Sequence, residues 1–315
     1  CLMSGRVSNN DYLKKKVMRL YLLVIAVWIC GFRAAAQDKI LVAGSGNPFV
    51  QLVDKQTGKV EWQHALEKGE ECNTVALTNE GNVLYSYKRG AKVVTWDHRV
   101  IWDYQVSGKA ELQSATLLRN GGILLGICGN PAEFIELDKD GREINKTKID
   151  LGIDKPHSQF RQIFQLKNKN YLIPVMAKQK IMEINRKGRL VAEYDITGKA
   201  FSSLELTDGN LLLPCGDNHC YIIVDRYTGK ELKRVTSDDI KGASLWFVAQ
   251  ILELKNKNLL ICNWGGHTKG TIVDVPQLIE IDKDGNVVWT LNNKQDIDKV
   301  STACYLEGFH LPDLK

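Results

Sequence analysis

The chain has 315 residues, 44% of them apolar and 25% charged, with 42 Lys+Arg against 37 Asp+Glu. That balance excludes a mainly disordered chain, and the length is ample for a substantial core. Residues 1–36 hold six of the cations (Arg6, Lys14, Lys15, Lys16, Arg19, Arg33) and one anion, Asp11, so the other 279 residues carry 36 charges of each sign. The cationic excess that displaces counterions from phosphates is therefore missing, and no nucleic-acid partner is expected.

Taken in chain order, the first element is a leader. Residues 14–36 place a Lys/Arg start ahead of an apolar run from Leu20 to Phe32, followed by Ala34, Ala35 and Ala36. This is the order of a cleavable secretory signal peptide, and the apolar run is too short to span a membrane. Residues 1–36 are read as that signal peptide, with 1–17 a candidate extension ahead of Met18. Residues 37–315 are read as one exported domain, secreted or periplasmic, monomeric and without a transmembrane anchor.

The body repeats. Six segments share an apolar strand, a hydrophilic turn and often a second strand, beginning with PFVQLVDKQTGKVEW at 48–62 and ending with QLIEIDKDGNVVW at 277–289. The turns open at Asp54, Asp97, Asp138, Asn185, Asp225 and Asp282. Between them lies a second hairpin type, such as TVALTNEGNVLYSY and QILELKNKNLLIC. Asx and Gly tolerate positive φ and accept local hydrogen bonds, so each unit predicts four strands joined by tight turns. The fold expected is all-β: a six-bladed β-propeller of four-stranded antiparallel blades. The first unit lacks an innermost strand and the chain ends on an unpaired one, residues 300–307. Pairing the two closes the ring and removes both exposed edges.

Aligning the innermost strands on a final Leu gives a column of Asn73, Ser114, Gln162, Ser202, Gln250 and Thr302. All six are polar in otherwise apolar strands. They predict a ring of side chains near the central channel, solvated by channel water. Asn73, Gln162 and Gln250 are thereby candidate ligand-binding residues.

Of the six Cys beyond residue 36, Cys215 and Cys220 flank Gly-Asp-Asn-His and are a disulfide candidate across a hairpin. The alternative is that all six are small buried apolar groups. No set of metal ligands with recognisable spacing is present, and no metal is expected.

A propeller sorts its turns between two faces. One carries short, interchangeable turns such as NEGN and KNKN, read as scaffold. The other is irregular: GSGN, YKRG, CGNPA, CGDNHC and the long NWGGHTKGTIVDVPQ at 263–277. Long loops are enriched in binding roles. Trp264 there offers a flat face, His267 a titratable group and Lys269 a cation; the alternative for Trp264 is packing beneath the loop. His157 and Arg161 lie four apart, read as one side of a strand, and are candidates to bind an anion and shuttle a proton. The alternative is that they satisfy carbonyls of a neighbouring blade. Trp62, Trp102 and Trp289 recur on outer strands and read as inter-blade packing.

Asp54-x-x-Thr57-Gly58-x-x-x-Trp62 resembles the repeat of pyrroloquinoline-quinone-type propellers, and Asp225, Thr228 and Gly229 keep part of it. The resemblance implies the propeller fold. The adjacent cysteines and calcium site of the quinone dehydrogenases have no counterpart here, so neither that quinone nor any other cofactor is expected. A second resemblance, to bacterial arylsulfotransferases, implies sulfate-ester transfer by a channel histidine, with His157, Arg161 and His267 as catalytic candidates. The function expected is an exported ligand-binding or protein-interaction scaffold acting through its irregular face. The alternative is an anion-transfer enzyme built on those three residues.

Overall fold

Most strands in this chain run four to seven residues, and many of the turns between them open on Asp or Asn and close on Gly. In a computed structural model, which describes residues 37–266 and 273–312, these strands assemble into six four-stranded antiparallel sheets arranged as a ring. The signal-peptide reading, His267 and Lys269 lie outside the described residues. Blade 1 pairs Thr302–Leu306 with Lys39–Ala43, Phe49–Asp54 and Val60–Ala65. Blade 2 runs from Thr74–Leu77 to Val100–Gln105, and blade 3 from Glu111–Leu117 to Glu143–Ile149. Blade 4 runs from Phe164–Gln165 to Leu190–Asp195, blade 5 from Leu204–Glu205 to Glu231–Thr236, and blade 6 from Val248–Glu253 to Val287–Leu291. The six-bladed propeller expected from the repeat is the fold.

Burial follows position within the blade. Second strands such as Lys39–Ala43 and Leu211–Pro214 are buried on both faces, because each lies between two neighbouring blades. Outermost strands such as Val100–Gln105 alternate between half-buried and exposed. The core is accordingly divided into slabs, each between adjacent blades: Leu52 and Trp62 meet Val83 and Tyr85 between blades 1 and 2, and Leu278 and Leu291 meet Ile40 and Val53 between blades 6 and 1.

The turn openers do a second job. In blades 4, 5 and 1 the residue after the opener is a cation that reaches back to a buried Glu on the previous blade. Arg186 meets Glu136 at 2.7 Å, Arg226 meets Glu183 at 2.7 Å, and Lys55 meets Glu280 at 2.6 Å. The outer Trp side chains add to this stitching: Trp62 Nε1 donates to Trp96 O at 2.7 Å and Trp289 Nε1 to Lys55 O at 2.9 Å. Ring closure is carried by Lys39↔Leu306 through Ala43↔Thr302 in antiparallel register. No helix among the described residues is long and apolar enough to cross a membrane.

Cys215 and Cys220 do face each other across their turn, with Cys215 N–H donating to Cys220 O at 3.0 Å, but as two buried thiols rather than a bridge. A hydrogen bond between them pushes Cys215 up, and the same bond, helped by Arg234 and Asn218, draws Cys220 down to about 6.

Candidate functional site

The innermost segments carry the polar residues singled out above, and the registers correct how they align. Leu77 lies opposite Val83, Leu117 opposite Ile123, Glu253 opposite Leu259 and Leu306 opposite Lys39. Val83, Ile123, Leu259 and Ile40 each pair with the residue just before the outer turn, so Leu77 is equivalent to Leu117, whereas Leu306, one residue past Tyr305 opposite Ile40, is equivalent to Leu118. The structural column is Thr74, Ser114, Gln162, Ser202, Gln250 and Thr302, so Asn73 alone stands one residue away from it.

Nor is the column mainly solvated by the channel. Thr74 Oγ1 accepts from Ala115 N at 2.9 Å, Ser114 Oγ from Ile163 N at 3.0 Å and Gln250 Oε1 from Ala303 N at 2.7 Å. Ser202 Oγ donates to Ala249 O at 2.9 Å. In each case the partner is the backbone of the next blade's innermost segment. Neighbouring innermost strands splay apart and do not pair, so their buried N–H and C=O groups need side chains as partners. Gln162 is the exception. Its Nε2 crosses the channel from blade 4 to Asn73 O at 2.9 Å and Ser301 O at 3.2 Å, on blades 2 and 1.

On the irregular face, Pro156 sets φ for a single 3-10 turn, Pro156–Ser158. The strand expected from sequence for His157 and Arg161 is therefore not formed there. They are nevertheless brought together, because the chain curls and Arg161 folds back over the turn. Its guanidinium donates to His157 O at 2.9 Å and Phe160 O at 3.1 Å, and a third nitrogen–nitrogen contact, to His157 Nε2, is 2.9 Å. The guanidinium lies over the Phe201 ring, with Cζ 5.4 Å from its centroid. Arg161 is 5% exposed. Burial lowers its pKa from the ordinary value, opposed chiefly by Glu71, whose carboxylate is 3.9 Å from Nε.

The other side of His157 was not found from sequence. Nδ1 is 2.9 Å from Glu111 Oε2, and Glu111 also takes Lys88 at 3.1 Å. Burial pushes the Glu111 carboxyl up, but the hydrogen bonds from His157 and Lys88 outweigh it and hold the group below the usual carboxylate range. Gln113 Nε2 donates to Glu111 at 2.8 Å, and Asn73 Nδ2 donates to Gln113 Oε1 at 2.6 Å. Asn73, Gln113, Glu111, His157 and Arg161 thus form one continuous network. Three of its buried atoms have no hydrogen-bond partner among the described residues: Asn73 Oδ1, Arg161 Nε and the neighbouring Gln162 Oε1. Glu111 and Gln113 alternate along one strand ahead of Ser114, a pattern visible in sequence but pointing nowhere until His157 arrives from blade 4.

His157 is flanked on both nitrogens. Arg161 can only donate, so Nε2 accepts and Nδ1–H donates to Glu111, which fixes the tautomer. A ring so occupied has no lone pair free for a substrate.

Trp264 is 4% exposed, packed on Phe201 and Phe247 at 5.3 and 5.1 Å, and its Nε1 donates to Ser45 O at 2.9 Å. It joins blade 6 to blade 1, with its ring packed against these neighbours rather than exposed. Gln250 is likewise held by blade 1. His219 is a turn residue at positive φ whose Nδ1 contacts Trp246 O. Among the described residues no group of three or more His, Cys, Asp or Glu converges as a metal site.

Comparison with known proteins agrees with the fold. A crystal structure of a protein of unknown function from Bacteroides caccae is 40% identical, covering 86% of this chain and 99% of that one, with a TM-score of 0.83. Virginiamycin B lyase from Staphylococcus aureus, solved as a catalytically inactive variant with quinupristin, is 13% identical over 84% of this chain and 88% of its own, TM-score 0.54. The WD40 propeller domain of Doa1 is 13% identical over 82% and 83%, TM-score 0.54. The last two share the fold alone. No functionally curated protein matches. The family model for Mal s 1 allergenic protein-like sequences matches residues 47–286. The chain belongs to the Mal s 1 allergenic protein-like family.

Proposed function

We propose that this protein is an exported binding propeller whose irregular face takes up a small, uncharged, hydroxylated ligand at the Arg161 network. The observation that carries the reading is the set of open valences there: one donor, Arg161 Nε, and two acceptors, Asn73 Oδ1 and Gln162 Oε1, all buried and without a hydrogen-bond partner among the described residues. Buried polar groups in a folded protein are rarely left so, and a ligand hydroxyl both accepts and donates. The charges around them balance, Arg161 and Lys88 against Glu71 and Glu111, which favours a neutral ligand over an anion. Sulfate-ester transfer by His157 is not favoured, since both its nitrogens are engaged. The likeness of residues 54–62 to the quinone-type repeat is taken as shared turn chemistry, with no quinone bound.

The test is a thermal-shift and calorimetric panel of mono- and disaccharides, polyols and aryl sulfates, repeated on Asn73→Ala and Arg161→Ala. A ligand at 100 times its dissociation constant stabilises by about 2.7 kcal/mol. Neutral hydroxylated compounds should shift the protein, and the shift should vanish in both variants. A larger shift with aryl sulfates would instead support the anion reading. No shift across the panel would move the function to a protein partner on that face.

A further inference from the structure

The opposite face, whose short turns read as scaffold, holds a cavity of about 480 Å³ at the channel mouth. That volume is within the range of small-molecule sites. Its walls are apolar, built by Ala76, Leu117, Phe164 and Leu252 from the innermost strands of blades 2, 3, 4 and 6. Thr302 and Gln250 lie at its deep end, and the Thr302 hydroxyl is buried with no hydrogen-bond partner among the described residues. Beyond it, Gln162 Nε2 crosses the channel to Asn73 O and Ser301 O, the residues just before Thr74 and Thr302. None of Asn73, Glu111, Gln113, His157 and Arg161 lines the cavity, so it is distinct from the Arg161 network.

Its rim is acidic. Asp38, Glu253 and Glu307 line the mouth against one cation, Lys255, which is itself paired with Glu307. Lys257 reaches Glu253 at 3.3 Å, and Lys55, paired with Glu280, also donates to Tyr305 Oη at 3.0 Å, which leaves four carboxylates against three cations around the rim. Tyr305 and the Gly308 N–H both donate to Asp38. An apolar shaft ending in an open hydroxyl and opening on a net negative rim selects its occupant by shape and charge together. We propose that this pocket binds a monocationic amphiphile, with an aromatic or aliphatic body against Leu117, Phe164 and Leu252, a hydrogen-bonding group at the Thr302 hydroxyl, and an ammonium at the carboxylate rim.

Dansylcadaverine is a suitable probe: a naphthalene body, a sulfonamide and a primary ammonium, with emission that rises in apolar surroundings. Anilinonaphthalene sulfonate offers a comparable ring system with negative charge. Titrated into the full chain, dansylcadaverine should give a saturable rise and bind about tenfold more tightly than the sulfonate. Leu252→Trp, which fills the shaft, should weaken it about tenfold, and Glu253→Gln with Glu307→Gln about fivefold. Thr302→Val should weaken it by a smaller factor, and Arg161→Ala should leave it unchanged. The proposal is overturned by no saturable rise, by equal or tighter sulfonate binding, or by loss of binding in Arg161→Ala. If Leu252→Trp does not fold, the rim variant decides: unchanged dansylcadaverine affinity there also overturns it.

Discussion

Gln162 crosses the channel and gives its amide to carbonyls on two other blades. Gln162→Leu keeps the volume but withdraws both bonds, leaving two buried carbonyls short of a donor. Unfolding in urea should show a loss of about 1–3 kcal/mol; a neutral result would mean that channel water replaces the amide without cost. His64 gives a residue-scale test of pH. It stacks on Trp62 and His98, and burial first, then the charge of His98, holds it below its ordinary value of 6.5. The native state binds this proton less readily than the unfolded chain, so the associated stability is full above pH 6.5 and is lost as pH falls below it. His64→Phe keeps a ring and removes the titration. The slope of stability between pH 6.5 and about 5 should flatten in that variant. An unchanged slope would assign the dependence elsewhere.

At the scale of the element, one backbone conformation is used for two purposes. Gly229 closes the 225–230 turn at φ +69, with nothing within 4 Å of where a Cβ would stand. Gly216 opens the Cys215–Cys220 turn at φ +53, but its Cβ would lie 2.0 Å from Lys199 O. Gly229→Ala should cost only the left-handed strain, about 1 kcal/mol. Gly216→Ala adds a clash with fixed backbone and should cost about 3 kcal/mol or more, measured by urea unfolding of both variants. Equal losses would show that the loop around Lys199 yields. The Asp-x-x-Thr-Gly turns were legible because their chemistry is local: Asp54 Oδ1 accepts from both Thr57 N and Thr57 Oγ1 at 2.7 Å, and Asp225 does the same with Thr228 at 2.7 and 2.8 Å. The turn at Pro156–Ser158 was missed, because a strand pattern read through His157 gave Pro156 no weight.

For the whole molecule the decisive contact is ring closure. Thr302–Leu306 covers the inner edge of Lys39–Ala43, and Lys55 and Trp289 join the same two ends of the ring. Deleting residues 300–315 should expose that edge and the slab between blades 6 and 1 together. The truncated chain is expected to lose its cooperative melt and to associate in size-exclusion chromatography. A monomer with a single sharp transition would show that five complete blades suffice. Stability in such a ring is spread over slabs between blades, so a break at one slab frees two blade faces at once.

The sequence by itself determined the blade count, the strand order, the closure of the ring and the hairpin turns, because all of these follow from periodicity and from hydrogen bonds made within a few residues. It also brought out His157 and Arg161 as a pair. Only the tertiary structure decided what their neighbours are. Glu111 and Gln113 come from blade 3, Asn73 from blade 2 and Gln162 from blade 4, and contacts between blades have no local signature. The same reason governs Trp264, whose loop looked like a binding surface until Phe201, from another blade, and Phe247 closed over its ring. It governs the polar column too: a shift of one residue in blade 2 is invisible to an alignment on Leu, and is fixed only when each innermost strand finds its partner.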